Sequence, residues 1–244
     1  MELVAGLRPY VELNKEIRRI FESDKKIILK DVNGQRYIGD GLHGDGKIKI
    51  YGTPGNDLAA YMNGPEIEVF GNGQDALGNT MNSGRVIVHG NCGDTTGYAM
   101  RGGEIFIKGN VGYRVGIHMK EYMEAKPVIV IGGKAGDFLG EYMAGGMILL
   151  LGLNLEDGEE MVGKFCGTGM HGGVMYIRGE VEPYKLGKEV KAVEPGEEDY
   201  KIIRNYVKKY CHYFQRSVDF VMNKPFIKLI AYNKRPYKNL YTAY

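Results

Sequence analysis

Seven short runs with aliphatic residues two positions apart share one form along this chain. They are KIKIYG ending at Gly52, EIEVFG at Gly71, RVIVHG at Gly90, EIFIKG at Gly109, VIVIGG with its first glycine at Gly132, MILLLG at Gly152 and VMYIRG at Gly179. Their glycines stand 19, 19, 19, 23, 20 and 27 residues apart. Aligned on those glycines, aliphatic columns appear. Two positions before each stand Ile50, Val69, Val88, Ile107, Val130, Leu150 and Ile177; four positions before stand Ile48, Ile67, Val86, Ile105, Val128, Ile148 and Met175. Apolar residues at period two in so short a run predict a strand with one buried face. The intervening positions are mixed, Lys49 and Glu68 but also Ile87 and Phe106, so the opposite face is only partly polar.

A third column holds Met62, Met81, Met100, Met119, Met143 and Met170, half of the chain's 12 methionines. His43 falls at the same offset ahead of Gly52. Three residues before each methionine stand Ala59, Gly78, Gly97, Gly116, Gly140 and Gly167. One flexible thioether per repeat suits the filling of a narrow interior.

A period near 19 residues is too short for a βαβ crossover, which takes ~30. Leucine-rich repeats would show leucine spacing and an asparagine that this chain lacks. A coil of two or three short strands joined by glycine turns, stacked so that like residues lie over like at ~4.8 Å, accounts for the columns. The prediction is an all-β fold, a single-stranded right-handed parallel β-helix of about seven coils over residues 27–182, the hand being that of nearly all parallel crossovers. No coil buries its own face, so neighbours share stability.

The ends need cover. Residues 1–26 read as an N-terminal helical cap, with Leu13, Ile17, Ile20 and Phe21 on one face of a helix over 11–22. Residues 183–244 read as a C-terminal helix and tail. The helix EEDYKIIRNYVKKYCHYF carries Tyr200, Ile203, Tyr206, Val207, Tyr210 and Phe214 at helical spacing, with acids in its first turn. A strand in PFIKLIAY follows, then an aromatic and basic tail. Lys234, Arg235, Tyr237 and Tyr241 suit that tail to docking on another subunit. Two insertions break the rhythm, KEYMEAKP after Met119 and the stretch around NLEDGEE after Gly152. Outward loops are where solenoids place contacts.

Composition sharpens this picture. The 37 glycines among 244 residues are about twice the usual share, which fits a chain made of turns and short strands. A net charge of +2 argues against nucleic acid or a membrane surface as partner. No apolar run approaches the ~18 residues of a membrane span, and the N-terminus lacks a signal-peptide layout. Cys92, Cys166 and Cys211 form neither a disulfide framework nor a CxxC pair, so a cytoplasmic location is expected.

The search for chemistry assigns no catalytic, cofactor-binding or metal-ligating residue. Gly39–Gly44 spells GxGxxG, yet a strand follows where a pyrophosphate needs a helix N-terminus. His43, His89, His118, His171 and His212 share no ligand spacing. Asp94 and Asp137 follow glycines in equivalent turns, where aspartate caps backbone groups. Cys92 and Cys166 read as small buried apolar groups without an activating base.

The block GDFLGEYMAGGMILLLG (136–152) resembles the C-terminal GXGXG domain of glutamate synthase large subunits. GNVGYRVGIHMK and GNCGDTTGYAMRGGEIFIKG resemble preceding coils of that domain, and YVELNKEIRRI and EEDYKIIRNYVKKY its flanks. The coil rhythm is also similar to that of the β-helical chain of formylmethanofuran dehydrogenase. The first resemblance implies a β-helix that contributes no catalytic residue and holds other domains, a glutaminase and a flavin and iron–sulfur synthase. This chain begins Met1-Glu2 without an N-terminal cysteine and has no cysteine cluster or barrel. The resemblance therefore implies a stand-alone domain-three subunit, a scaffold for separately encoded chains in glutamate biosynthesis, binding no cofactor itself while FMN and Fe–S sit on its partners. A scaffold in a formylmethanofuran-dehydrogenase-like complex, an enzyme with its own groove and a homo-oligomeric rod remain as alternatives.

Overall fold

A computed structural model describes residues 1–156 and 158–232; the tail residues Lys234, Arg235, Tyr237 and Tyr241 lie outside them. The chain is mostly sheet, a parallel β-solenoid of about six turns with few helices. Its strands are β1 (Glu2–Val4), β2 (Lys26–Asn33), β3 (Lys47–Thr53), β4 (Asn63–Phe70), β5 (Ser83–Val88), β6 (Glu104–Ile107), β7 (Val128–Ile131), β8 (Ala144–Leu150), β9 (Gly172–Arg178), β10 (Val190–Val193) and β11 (Phe226–Ala231). The helices are α1 (Tyr10–Ser23), α2 (Glu197–Phe214) and α3 (Val218–Met222). Strands β1 to β9 pair in sequence order and in parallel, and β11 then β10 close the far edge antiparallel.

The rows stack as the columns predict, with one correction. Ile48, Ile67, Val86 and Ile105 lie in register and are fully buried. The row then continues through Ile129, Ile148 and Met175. Val128 and Val130, expected in the interior, instead face outward, and Ile129 and Ile131 face in. The run VIVIGG contains four aliphatics and two glycines, so alternation does not fix its register. Gly133 rather than Gly132 continues the glycine column, donating its N–H to Gly109 (2.9 Å). Strands β1 and β2 join the parallel stack ahead of the seven aligned runs. In β2, Ile27 and Leu29 join the two interior rows, but after left-handed Asp31 (φ 54) and a register shift it is Val32, not a glycine, that pairs with Gly52.

Between strands, each turn places three residues in the left-handed region, two positions apart. Thr95 (φ 55), Gly97 (φ 73) and Ala99 (φ 49) are one such set. The alternation sends N–H groups both ways: Thr95 and Ala99 donate to Tyr113 and Ile117 of the next coil (2.8 Å each), and Gly97 donates back to Leu77 (2.7 Å). Glycine holds this middle position in all the turns but that of Ala59 (φ 61), and a Cβ on Gly97 would stand 2.4 Å from Ile129 Cδ1. The six methionines follow these turns, all fully buried in the one interior cluster. His43 does not join them. Leu42 holds the equivalent place, accepting from Asn63 N as Met62 accepts from Asn82 N, and His43 is exposed.

Side-chain ladders reinforce the stack. Asn72, Asn91 and Asn110 each offer Oδ1 to the backbone N–H of the residue above, Asn91, Asn110 and Lys134 (2.8–3.0 Å). The approach is so close that a Cβ on Gly109 would meet Asn91 Oδ1 at 2.1 Å. That is why glycine precedes asparagine here.

The ends and the outer face are covered as their polarity requires. Helix α1 buries Leu13, Ile17, Ile20 and Phe21 in the interior cluster, alongside Ile38 and Leu42. Helix α2 lies over the outward residues of the later strands: Ile203, Val207, Tyr210, Cys211 and Phe214 pack with Ile87, Phe106, Val130, Leu149 and Tyr176. The mixed outward column is thereby explained, since Ile87 and Phe106 sit under α2 while Lys49 and Glu68 belong to a charged flank. There Lys47, Glu66, Arg85 and Glu104 alternate in sign along one row, and Lys209 of α2 joins Glu104 (2.5 Å). Asp199, in the first turn of α2, accepts from Gly196 N (2.9 Å), Tyr176 Oη (2.5 Å) and Lys228 Nζ (2.8 Å). Buried Arg178 binds the Val221 carbonyl (2.7 Å) and Asn223 Oδ1 (2.7 Å), fastening α3 to β9.

Two outcomes follow from this packing. Ile105→Ala, at mid-stack, is expected to cost ~2–5 kcal/mol in denaturant unfolding, and Asn91→Ala only about 1 kcal/mol. For Asp199, burial raises the carboxyl pKa, but the Lys228, Tyr176 and Gly196 hydrogen bonds outweigh it and hold the value below the ordinary 3.8. A depressed folded pKa stabilises the fold above the unfolded value and loses that contribution as pH falls through the folded one. Asp199→Asn should therefore cost ~1.5–3 kcal/mol at pH 7, with the gap to wild type closing below pH 3.8. Thermal melts across pH check it.

Candidate partner-facing surfaces

The side chains that carry chemical potential are dispersed and mostly engaged in holding coils together. Gly39 of the GxGxxG string is the left-handed middle residue of its turn (φ 76), where a Cβ would meet Ile67 Cδ1 at 2.5 Å. Strand β3 follows, and α1 lies across the turn through Arg18, which donates to the Asp40 carbonyl. Asp94 Oδ1 accepts from Tyr113 N (2.8 Å) and Asp137 Oδ1 from Lys164 N (2.7 Å), so the groups they cap belong to the next coil. His89 is stacked on Phe70 (4.7 Å), edge-on to Phe214 and 3.2 Å from Glu68 Oε1. His171 Nδ1 contacts its own turn at the Gly169 carbonyl (3.1 Å), and His212 is exposed on α2. Among the described residues no group of three His, Cys, Asp or Glu is placed to hold a metal ion. Cys92, Cys166 and Cys211 are free and buried. Burial pushes the Cys92 and Cys166 thiols up to about 12, far from the low pKa that activates a thiolate.

The two insertions behave differently. The first closes on itself at Tyr122 and Ala125, which exchange both backbone hydrogen bonds (3.1 and 3.0 Å), with Met123 left-handed at the tip (φ 54). It presents Tyr122 (54% exposed) and Met123 (82% exposed) to solvent. Glu121 anchors its base, accepting from Gly146 N (3.2 Å). The second insertion folds back onto the stack. Met161 packs on the interior cluster, Glu159 pairs with Lys134 and Glu160 with Lys185 (2.5 Å). Lys185, itself buried, also donates to the Val162 carbonyl (2.8 Å). Sequence periodicity could not reveal this lysine, because its role depends on a loop closing over it.

Beside the first insertion, the left-handed turns carry two outward stacks. In one, Arg114 lies over the Phe138 ring (4.7 Å) and Phe138 is stacked on Phe165 (5.0 Å). In the other, His118 is stacked on Tyr142 (5.3 Å) with Tyr98 edge-on (6.0 Å). Glu141, almost buried, joins Arg114 Nε at 3.0 Å. Tyr98, Tyr113 and Phe165 are 39%, 52% and 51% exposed. Rigid aromatics and arginine clustered on one face are the side chains that anchor protein interfaces. The signal was present in the sequence as aromatics recurring at turn positions one coil apart.

A family model described as the GXGXG motif matches residues 11–230. An uncharacterized protein of Methanocaldococcus jannaschii is 48% identical over 243 residues, covering 96% of this chain and 93% of that protein. Among the described residues no helix is long and apolar enough to cross a membrane. The matched span takes in α1 from its second residue, the parallel stack from β2 to β9, and α2, and the chain belongs to the GXGXG motif family, that of the C-terminal domain of glutamate synthase large subunits.

Proposed function

We propose that this chain, wound in the right-handed sense that parallel crossovers favour, is a non-catalytic assembly subunit. Its complex is a glutamate-synthase-like amidotransferase and oxidoreductase working in glutamate biosynthesis in the cytoplasm. It organises a separately encoded glutaminase chain and a synthase chain that carries FMN and Fe–S. The carrying observation is how the polar side chains are used. Asp94 and Asp137 hold the backbone of the next coil, His89 is wedged between aromatic rings, and Cys92 and Cys166 are buried with raised pKa values. On the turns and the first insertion of the later coils, Tyr98, Tyr113, Tyr122, Met123 and Phe165 are exposed, as are Leu7, Tyr61 and Tyr184 elsewhere. A surface of that composition supports binding rather than turnover. Family membership supports the kind of complex, since a β-solenoid of this family in glutamate synthase sits in one chain with the catalytic domains.

Co-expression with the cognate glutaminase and synthase chains tests the reading. The three are expected to co-elute as one complex on size exclusion, with glutamine-dependent glutamate formation lost when this chain is omitted. Elution of this chain apart from both, or recovery of formylmethanofuran-dehydrogenase-like subunits with it, would contradict the assignment.

A further inference from the structure

One position in each coil follows the buried methionine and begins the return to the strand. Its members are Asn63, Asn82, Arg101, Lys120, Ala144 and His171, each donating its backbone N–H to the Leu42 or methionine carbonyl of the coil before (2.8–3.0 Å). Equivalent bonding places Arg101 and Lys120 one above the other, at the ~4.8 Å spacing of stacked strands. Two cations at that separation repel. Elsewhere the stack compensates: Lys47, beside Lys26, has Glu66 at 2.7 Å and Glu68 at 3.1 Å, and Arg85 lies between Glu66 and Glu104. At Arg101 and Lys120 nothing compensates. Among the described residues neither has a carboxylate within ion-pair distance, and Arg101 Nε is buried without a hydrogen-bond partner.

The pair sits where the exposed apolar groups gather. The first insertion folds against this coil, so that a Cβ on Gly102 would lie 3.0 Å from Ala125 Cβ. Tyr122 and Met123 stand at its tip. Tyr98 and His118, two residues before Lys120, complete the surroundings. Of the loop's two acids, Glu121 is turned to Gly146 N, and neither it nor Glu124 lies within ion-pair distance of Arg101 or Lys120. Arg101 is only partly buried, so a carboxylate arriving at the terminal N–H groups of its guanidinium would offset the desolvation cost of the charge with charge-assisted hydrogen bonds.

We propose that Arg101 and Lys120, framed by Tyr98, Tyr122 and Met123, form the docking site for an acidic segment of a partner protein, with carboxylates on the two cations and an aromatic or aliphatic anchor against the loop. This rests on the assembly reading above, for which it names the surface and the chemistry of the segment that meets it. The test has two arms. In the first, the isolated chain is titrated at low salt with a random glutamate–tyrosine copolymer, with a lysine–tyrosine copolymer as control. Wild type should bind the acidic polymer alone, and R101E/K120E should weaken that binding at least tenfold with an unchanged melting temperature. The neutral variant K120Q should fall between them. No binding by wild type, or equal binding by the reversed variant, overturns the proposal. In the second arm R101E/K120E is co-expressed with the glutaminase and synthase chains. Lost co-elution supports the site. Intact co-elution overturns the site while leaving the assembly reading standing, whereas failure of wild type itself to co-elute, with polymer binding retained, sinks the assembly reading and the site's place in it together. A wild-type dimer that the reversal dissociates would assign the surface to a second copy and overturn the partner assignment.

Discussion

Everything in this molecule depends on backbone hydrogen bonding between equivalent residues of successive coils. Once coil n donates to coil n+1 at a fixed register, a given position recurs at the strand spacing, and every side chain has a near copy above and below. Aliphatic rows satisfy that demand by close packing, as in Ile67, Val86 and Ile105. Charged rows satisfy it by alternation, as in Lys47, Glu66, Arg85 and Glu104. Amide and carboxylate rows satisfy it by reaching up to the next backbone, as Asn91 does for Asn110. The glycine content has the same origin. Turns that direct alternate N–H groups to both neighbours require left-handed residues, and at Gly97 there is no room for a Cβ.

Because stacking repeats chemistry in rows, most of the architecture was legible from the chain. The parallel stack, the methionine column, α1 with its four buried residues and the apolar face of α2 all follow from periodicity. Where expectation and structure part, the sequence is locally degenerate. VIVIGG satisfies either phase of a two-residue alternation, so only the pairing of Ile105 with Ile129 decides it. Strand β2 lacks the terminal glycine that marks the others. His43 sits one residue past the true methionine position because the first turn is one residue out of step. The seven runs bound about six turns.

The candidate surface was less legible than the fold, for a physical reason. The insertion after Met119 was recognisable as an outward loop, and it does expose Tyr122 and Met123. The insertion after Gly152 carries the same signal in sequence, yet Lys185 and Lys134 tie it down, an outcome set by tertiary contacts that periodicity does not encode. The Arg114–Phe138–Phe165 and Tyr98–His118–Tyr142 stacks are visible along the chain only as aromatics recurring at turn positions, and coil spacing is what makes them neighbours. Stacking engages Asp94, Asp137 and His89 between coils, while Tyr98, Tyr113 and Phe165 stay exposed on the turns.

The most direct measurement of the stacked register is a pair of double-mutant cycles centred on Ile105. Ile105→Ala combined with Ile129→Ala removes two side chains of one interior row, and their effects on unfolding free energy should couple by ~0.5–3 kcal/mol. Ile105→Ala combined with Val128→Ala joins opposite faces of the sheet, and those effects should add to within ~0.5 kcal/mol. Strong coupling to Val128 with additivity at Ile129 would contradict the register, and with it the account of how this chain is built.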